Sequence, residues 1–96
     1  MVECDDIHRQ FDALANGPLQ VGELPAWTRV RGKVAWAVVQ GPYHGLSEAW
    51  RRFWQMYRDA ELGHFDGAPG ELYVCPPEMH EADKGARLTT LLFVPL

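Results

Sequence analysis

Glu71 opens a short alternating run, Glu71-Leu72-Tyr73-Val74-Cys75, and the period of two places Glu71, Tyr73 and Cys75 on one face of a strand. A carboxylate on a sheet face that also bears aromatics pairs with a cationic ligand or, once desolvated, serves as a general acid or base. The competing reading is an ordinary surface glutamate, because Glu is almost never buried without a partner.

Aromatic side chains supply the second chemistry. Trp27, Trp36, Tyr43, Trp50, Trp54, Tyr57, Tyr73 and Phe93 are many for a chain of 96 residues, and rings with polar tips suit flat, largely apolar molecules. Trp50 and Phe53 read as core, whereas Trp54, Tyr57 and Trp36 fit either a core or a pocket. His8, His44, His64, His80, Cys4 and Cys75 form neither a C-x-x-C nor an H-x-x-x-H pair, so neither a metal nor a cofactor is expected. The two distant cysteines are expected as free thiols. Gly45-Leu46-Ser47-Glu48-Ala49 resembles a nucleophile elbow, but that motif needs its serine on a tight turn straight after a strand. Here Pro42-Tyr43-His44 intervenes, and Ser47 reads as an early helical or capping residue.

The elements that must position these groups follow from periodicity. Leu46, Ala49, Trp50, Phe53, Trp54, Tyr57 and Ala60 form a broad stripe at the 3.6-residue period, which predicts a helix with Gly63 placed to cap it. Val34 to Gln40 is almost wholly apolar and predicts a strand covered on both faces; Val34, Trp36 and Val38 share a face. Further strands are expected at Leu19 to Leu24, Glu71 to Cys75 and Leu88 to Val94, with loops at His64 to Gly70 and Glu78 to Ala86. Ile7, Phe11 and Leu14 define a short amphipathic helix over Asp5 to Ala15, ended by Asn16-Gly17-Pro18. The expected fold is α+β: an antiparallel sheet with one long helix packed on it, plus the short N-terminal helix.

Composition narrows the function. Ninety-six residues support one core and one domain, 1–96, with 1–17 as a helical extension. A hydrophobic content of 47% argues against disorder, and a net charge of -4 argues against direct nucleic-acid binding, which needs clustered Lys and Arg. No run approaches the roughly 20 apolar residues of a membrane span, and the acidic N-terminus lacks the basic and apolar character of a signal peptide. A cytoplasmic protein is expected.

Val34 to Tyr43 (VAWAVVQGPY), the helix with Leu46 and Ala49-Trp50, the strand Gly70-Glu71-Leu72-Tyr73 and the ending Thr89 to Leu96 together resemble the GyrI-like family of effector-binding domains, over about Leu19 to Leu96. The resemblance implies strand-helix-strand-strand modules, paired in the family around a cleft for small cationic or aromatic molecules. This chain resembles only the second module. Carried over, the family's counter-charge falls on Glu71 with Tyr73 beside it, Tyr43 lines the pocket and Trp50 packs. One module alone leaves half the cleft and a sheet edge open, so a homodimer is expected, with the pocket at or near its interface. With no room for a DNA-binding domain, a stand-alone sensor or sequestering protein is the first reading, with Glu71, Tyr73, Trp36, Tyr43, Trp54 and Tyr57 as ligand-binding residues. The alternatives are a hydrolase of reactive, alkylating natural products in which Glu71 orients or deprotonates water, a protein-interaction module acting on gyrase, and a folded domain without a retained ligand.

Overall fold

The computed structural model describes residue 9 and residues 11–41, 43–74 and 89–96, without the side chain of residue 43. The strands and the long helix follow in chain order among the described residues: β1 (Gln20–Glu23), β2 (Lys33–Gln40), the helix α1 (Leu46–Asp59), β3 (Gly70–Val74) and β4 (Thr89–Pro95). The strands form one antiparallel sheet in the order β1-β2-β4-β3, with α1 packed on one face. This is the α+β arrangement that the periodicities predict.

Register decides which side chains meet. Ala35, Ala37 and Val39 of β2 pair with Val94, Leu92 and Thr90 of β4, and Leu92 and Thr90 pair in turn with Glu71 and Tyr73 of β3. Directly paired residues share a face, so all of these lie on the helix side. There Phe53 and Tyr57 of α1 are buried with Ala35, Ala37, Leu92 and Val94. Burying each large side chain contributes about 1.5–3 kcal/mol.

The other face carries Val34, Val38, Val74 and Leu91, covered by Phe11 and Leu24. Both faces of β2 are therefore buried, which is why its sequence runs apolar without alternation. Phe11 belongs to the N-terminal segment, where helical backbone is described at Arg9, Phe11 and Asp12. The predicted helix does not continue to Ala15. Leu14 and Ala15 donate to the carbonyls three residues back, at 2.9 and 3.3 Å, and Ala15 forms a parallel bridge with Val38. Asn16, at φ 54°, then clamps the end of β2: its Nδ2 donates to the Gln40 carbonyl (3.3 Å) and its Oδ1 accepts from the Gln40 amide (3.2 Å). Asn tolerates this left-handed backbone better than most residues, and its amide imitates a strand neighbour.

At the C-terminal end of α1 the expected cap shifts by two residues. The left-handed position directly after the helix is Glu61, at φ 54°, rather than Gly63. Gly63 follows at φ 77°, and its carbonyl accepts the Tyr57 hydroxyl at 2.9 Å, tying the loop back to the helix.

The expected strand ends at Cys75 and Leu88, the loop Glu78 to Ala86, the helix start Asp5 to His8, and Cys4, Pro42 and His80 lie outside the described residues. Among the described residues no helix is long and apolar enough to cross a membrane.

Candidate functional site

Glu71 sits on the edge strand β3 with its side chain toward α1. Its Oε2 accepts the indole N–H of Trp50 at 2.5 Å, and its Oε1 accepts the hydroxyl of Tyr73 at 2.5 Å. Trp50 can reach it because the apolar stripe of α1 lies over the sheet, and Trp50, at the stripe's β3 flank, must satisfy a half-buried N–H. Tyr73 reaches it because residues two apart on a strand stand side by side.

The partners of Glu71 are thus two neutral donors, and among the described residues no Lys or Arg pairs with it. An ionised carboxylate offers about four lone-pair sites. Each oxygen therefore keeps accepting capacity while its position is held. Glu71 is thus a carboxylate held in place by neutral donors, with no counter-cation among the described residues.

Aromatic rings extend from this carboxylate along the helix. Trp54 stacks on Trp50 with centroids 5.8 Å apart and planes at 25°. Phe65, from the loop after α1, lies 5.4 Å from Trp54 and 6.2 Å from Tyr57. Tyr73 is 47% and Phe65 44% exposed, so the two ends of this aromatic ledge face solvent. The ledge therefore offers ring faces and edges beside a negative charge, the combination that attracts organic cations.

The residues singled out from the sequence separate into three groups. Glu71, Tyr73 and Trp54 come together here. Trp36 does not: it pairs with Phe93, which pairs with Gly70, so it occupies the opposite face, 6.1 Å from Phe11 in an edge-to-face contact. Tyr57 is buried, 5% exposed, with its hydroxyl bonded to Gly63; it supports the ledge rather than lining it. The side chain of Tyr43 lies outside the described residues.

Two members of the ledge are not among the ligand-binding residues that the sequence suggests. The sequence places Trp50 in packing, and it does pack on Phe53 at 5.0 Å, yet its N–H also fixes Glu71. Phe65 stands in a loop rich in Gly and polar residues; an aromatic ring in such a segment is the signal that could have found it, since loops carry binding residues disproportionately. Ser47 is exposed in the first turn of α1, away from any strand end that an elbow would need.

Comparison with known proteins finds no family model, curated protein or solved structure that matches this chain.

Proposed function

We propose that this chain is a binding module for small aromatic or hydrophobic molecules, cationic ones above all, acting as a stand-alone sensor or sequestering protein of the GyrI-like type. The observation that carries the reading is Glu71, held by Trp50 and Tyr73 beside the Trp54–Phe65 rings, with no basic partner among the described residues. A ring lying on Trp54 gains stacking and cation–π attraction of about 0.5–2 kcal/mol. A charged N–H donated to Glu71 adds about 1.5–3 kcal/mol.

Homodimerisation fits the same reading. Strands β1 and β3 lie at the two ends of the sheet order, and Glu71 is on one of them, so a second copy along β3 would enclose the ledge. Light scattering across a micromolar concentration series reads this directly; a monomer throughout would remove the dimer from the proposal.

The test of the binding function is a tryptophan-fluorescence titration with a planar aromatic cation and its neutral isostere, on the native protein and on Glu71→Gln. Gln keeps an acceptor for Trp50, and the Tyr73 hydroxyl can turn to accept from the new amide, so the variant removes charge with little change of shape. The expected result is saturable quenching by the cation, weakened at least tenfold in the variant, with the neutral isostere unaffected by the substitution. Equal affinity for cation and isostere in both proteins would refute the counter-charge. Mass spectrometry of the recovered ligand distinguishes binding, which returns it unchanged, from the hydrolase alternative.

A further inference from the structure

Glu71 lies on β3, at one end of the sheet order; at the other end, the chain between β1 and β2 makes a single 3-10 turn at Ala26–Thr28. Thr28, only 6% exposed, fixes this turn: its Oγ1 donates to the Pro25 carbonyl at 2.7 Å and accepts the Val30 amide at 3.2 Å. The Arg29 amide closes it on the Ala26 carbonyl at 3.1 Å. Val30 packs against the cluster of Phe11 and Leu24, whereas Arg29 and Arg31 on either side of it are exposed. Among the described residues, Ala26, Arg29, Val30 and Arg31 line one depression of about 440 Å³.

Two features set these arginines apart from ordinary surface charges. Among the described residues no carboxylate pairs with either of them. Lys33, two residues further on, differs: it stands directly opposite Glu23 in the β1–β2 ladder, where an opposite charge offsets its own. The second feature is the backbone of Arg29, at φ 63° and ψ 8°, a left-handed conformation that glycine adopts far more readily. A non-glycine residue there costs about 1–2 kcal/mol, yet among the described residues the Arg29 side chain makes no hydrogen bond, ion pair or ring contact that would repay the strain. An observed backbone outlier of this kind is a pointer to function.

We infer that this depression is a second binding site, for the phosphate group of a monoester. Two guanidinium groups call for two negative charges, and a phosphate monoester carries about −1.5 to −2 at pH 7, spread over three acceptor oxygens. Each arginine can present two parallel N–H groups to a pair of those oxygens. The depression is open to solvent, which suits an oxyanion that keeps part of its water and needs no apolar enclosure. A phosphodiester or a single carboxylate brings one negative charge and leaves one guanidinium unmatched.

The probe is methyl phosphate, followed by amide chemical-shift changes in the full chain at constant ionic strength. The expected shifts centre on Arg29, Val30 and Arg31, saturate, and leave Glu71 and Tyr73 unmoved. Dimethyl phosphate, with one charge, binds at least about fivefold more weakly, and Arg31→Gln weakens methyl phosphate by a similar factor. Arg29→Gly separates function from structure: it relieves the left-handed backbone and raises Tm while weakening methyl phosphate at least about fivefold. Glu71→Gln leaves methyl phosphate binding unchanged, which separates this site from the ledge. Vesicles of phosphatidylcholine with phosphatidic acid carry the same monoester on a lipid: co-sedimentation that Arg29→Gly abolishes assigns the group to a headgroup, and a chain left in solution assigns it to a soluble ester. No saturable shift with methyl phosphate, shifts centred elsewhere, equal binding of monoester and diester, or a lower Tm for Arg29→Gly would overturn the inference.

Discussion

Removing the indole N–H of Trp50 tests whether the carboxylate of Glu71 is held or merely nearby. Trp50→Phe keeps a ring at the same helical position, against Phe53 and Trp54, but deletes the donor that meets Glu71 Oε2 at 2.5 Å. A hydrogen bond to a charged group contributes about 1.5–3 kcal/mol when shielded. Glu71 is only half-buried, and water can replace part of the lost bond, which brings the expected coupling down to about 1 kcal/mol. The smaller ring adds its own packing loss, so the single substitution alone is ambiguous. The double-mutant cycle with Glu71→Ala isolates the bond: Trp50→Phe should destabilise the native protein by about 1 kcal/mol more than it destabilises Glu71→Ala. In a domain of this size that difference corresponds to about 4–8 °C in Tm, and urea denaturation of the four proteins measures it independently. Effects that add to within about 0.3 kcal/mol would mean that Trp50 does not hold Glu71, and the site would lose its fixed charge.

Three further outcomes test the scaffold around the site. A Cβ at Gly70 would stand 2.5 Å from Cζ of Phe93, so Gly70→Ala should cost about 1–3 kcal/mol by overpacking, and adding Phe93→Leu should recover most of it; thermal melts of the single and double variants decide, and no recovery would assign the cost to the backbone instead. Phe53 is fully buried at the centre of the helix–sheet contact, and Phe53→Ala should lose about 3–5 kcal/mol, enough to lower the urea midpoint sharply or prevent folding. Glu61 holds φ 54° directly after α1, so Glu61→Gly should stabilise the protein by up to about 1 kcal/mol through relief of the left-handed strain, whereas a loss of stability would show that the Glu61 side chain matters more than its backbone.

Much of the fold is legible in the sequence because its signals are local. The stripe from Leu46 needs nothing but its own spacing to become α1, and the apolar run at Val34 announces a strand buried on both sides. The short N-terminal helix stops earlier than its spacing predicts for the opposite reason. Ala13 to Ala15 have helical spacing, but Ala15 and Asn16 are recruited by Val38 and Gln40, more than twenty residues away, and such a tertiary bond outweighs a weak propensity.

The site shows the same division within a single pair of residues. That Glu71 and Tyr73 share a face follows from the period of two, and the bond between them needed no further information. Whether Trp36 joins them depends on register, a relation between strands that lie far apart in the chain. The pairing Trp36–Phe93–Gly70 sets Trp36 on the face of Gly70, and a slip of one residue in either ladder would have moved it beside Glu71. Nothing in the run Val34 to Gln40 could choose between these, because both of its faces are apolar. The polar member makes one of these choices visible: in the observed register Glu71 meets the N–H of Trp50, whereas a slip of the β3–β4 ladder would turn Glu71 toward Phe11, Val38 and Leu91, where a carboxylate would be buried among apolar side chains. Burial of a charge therefore opposes that slip, and Glu71 helps to hold its own strand in place.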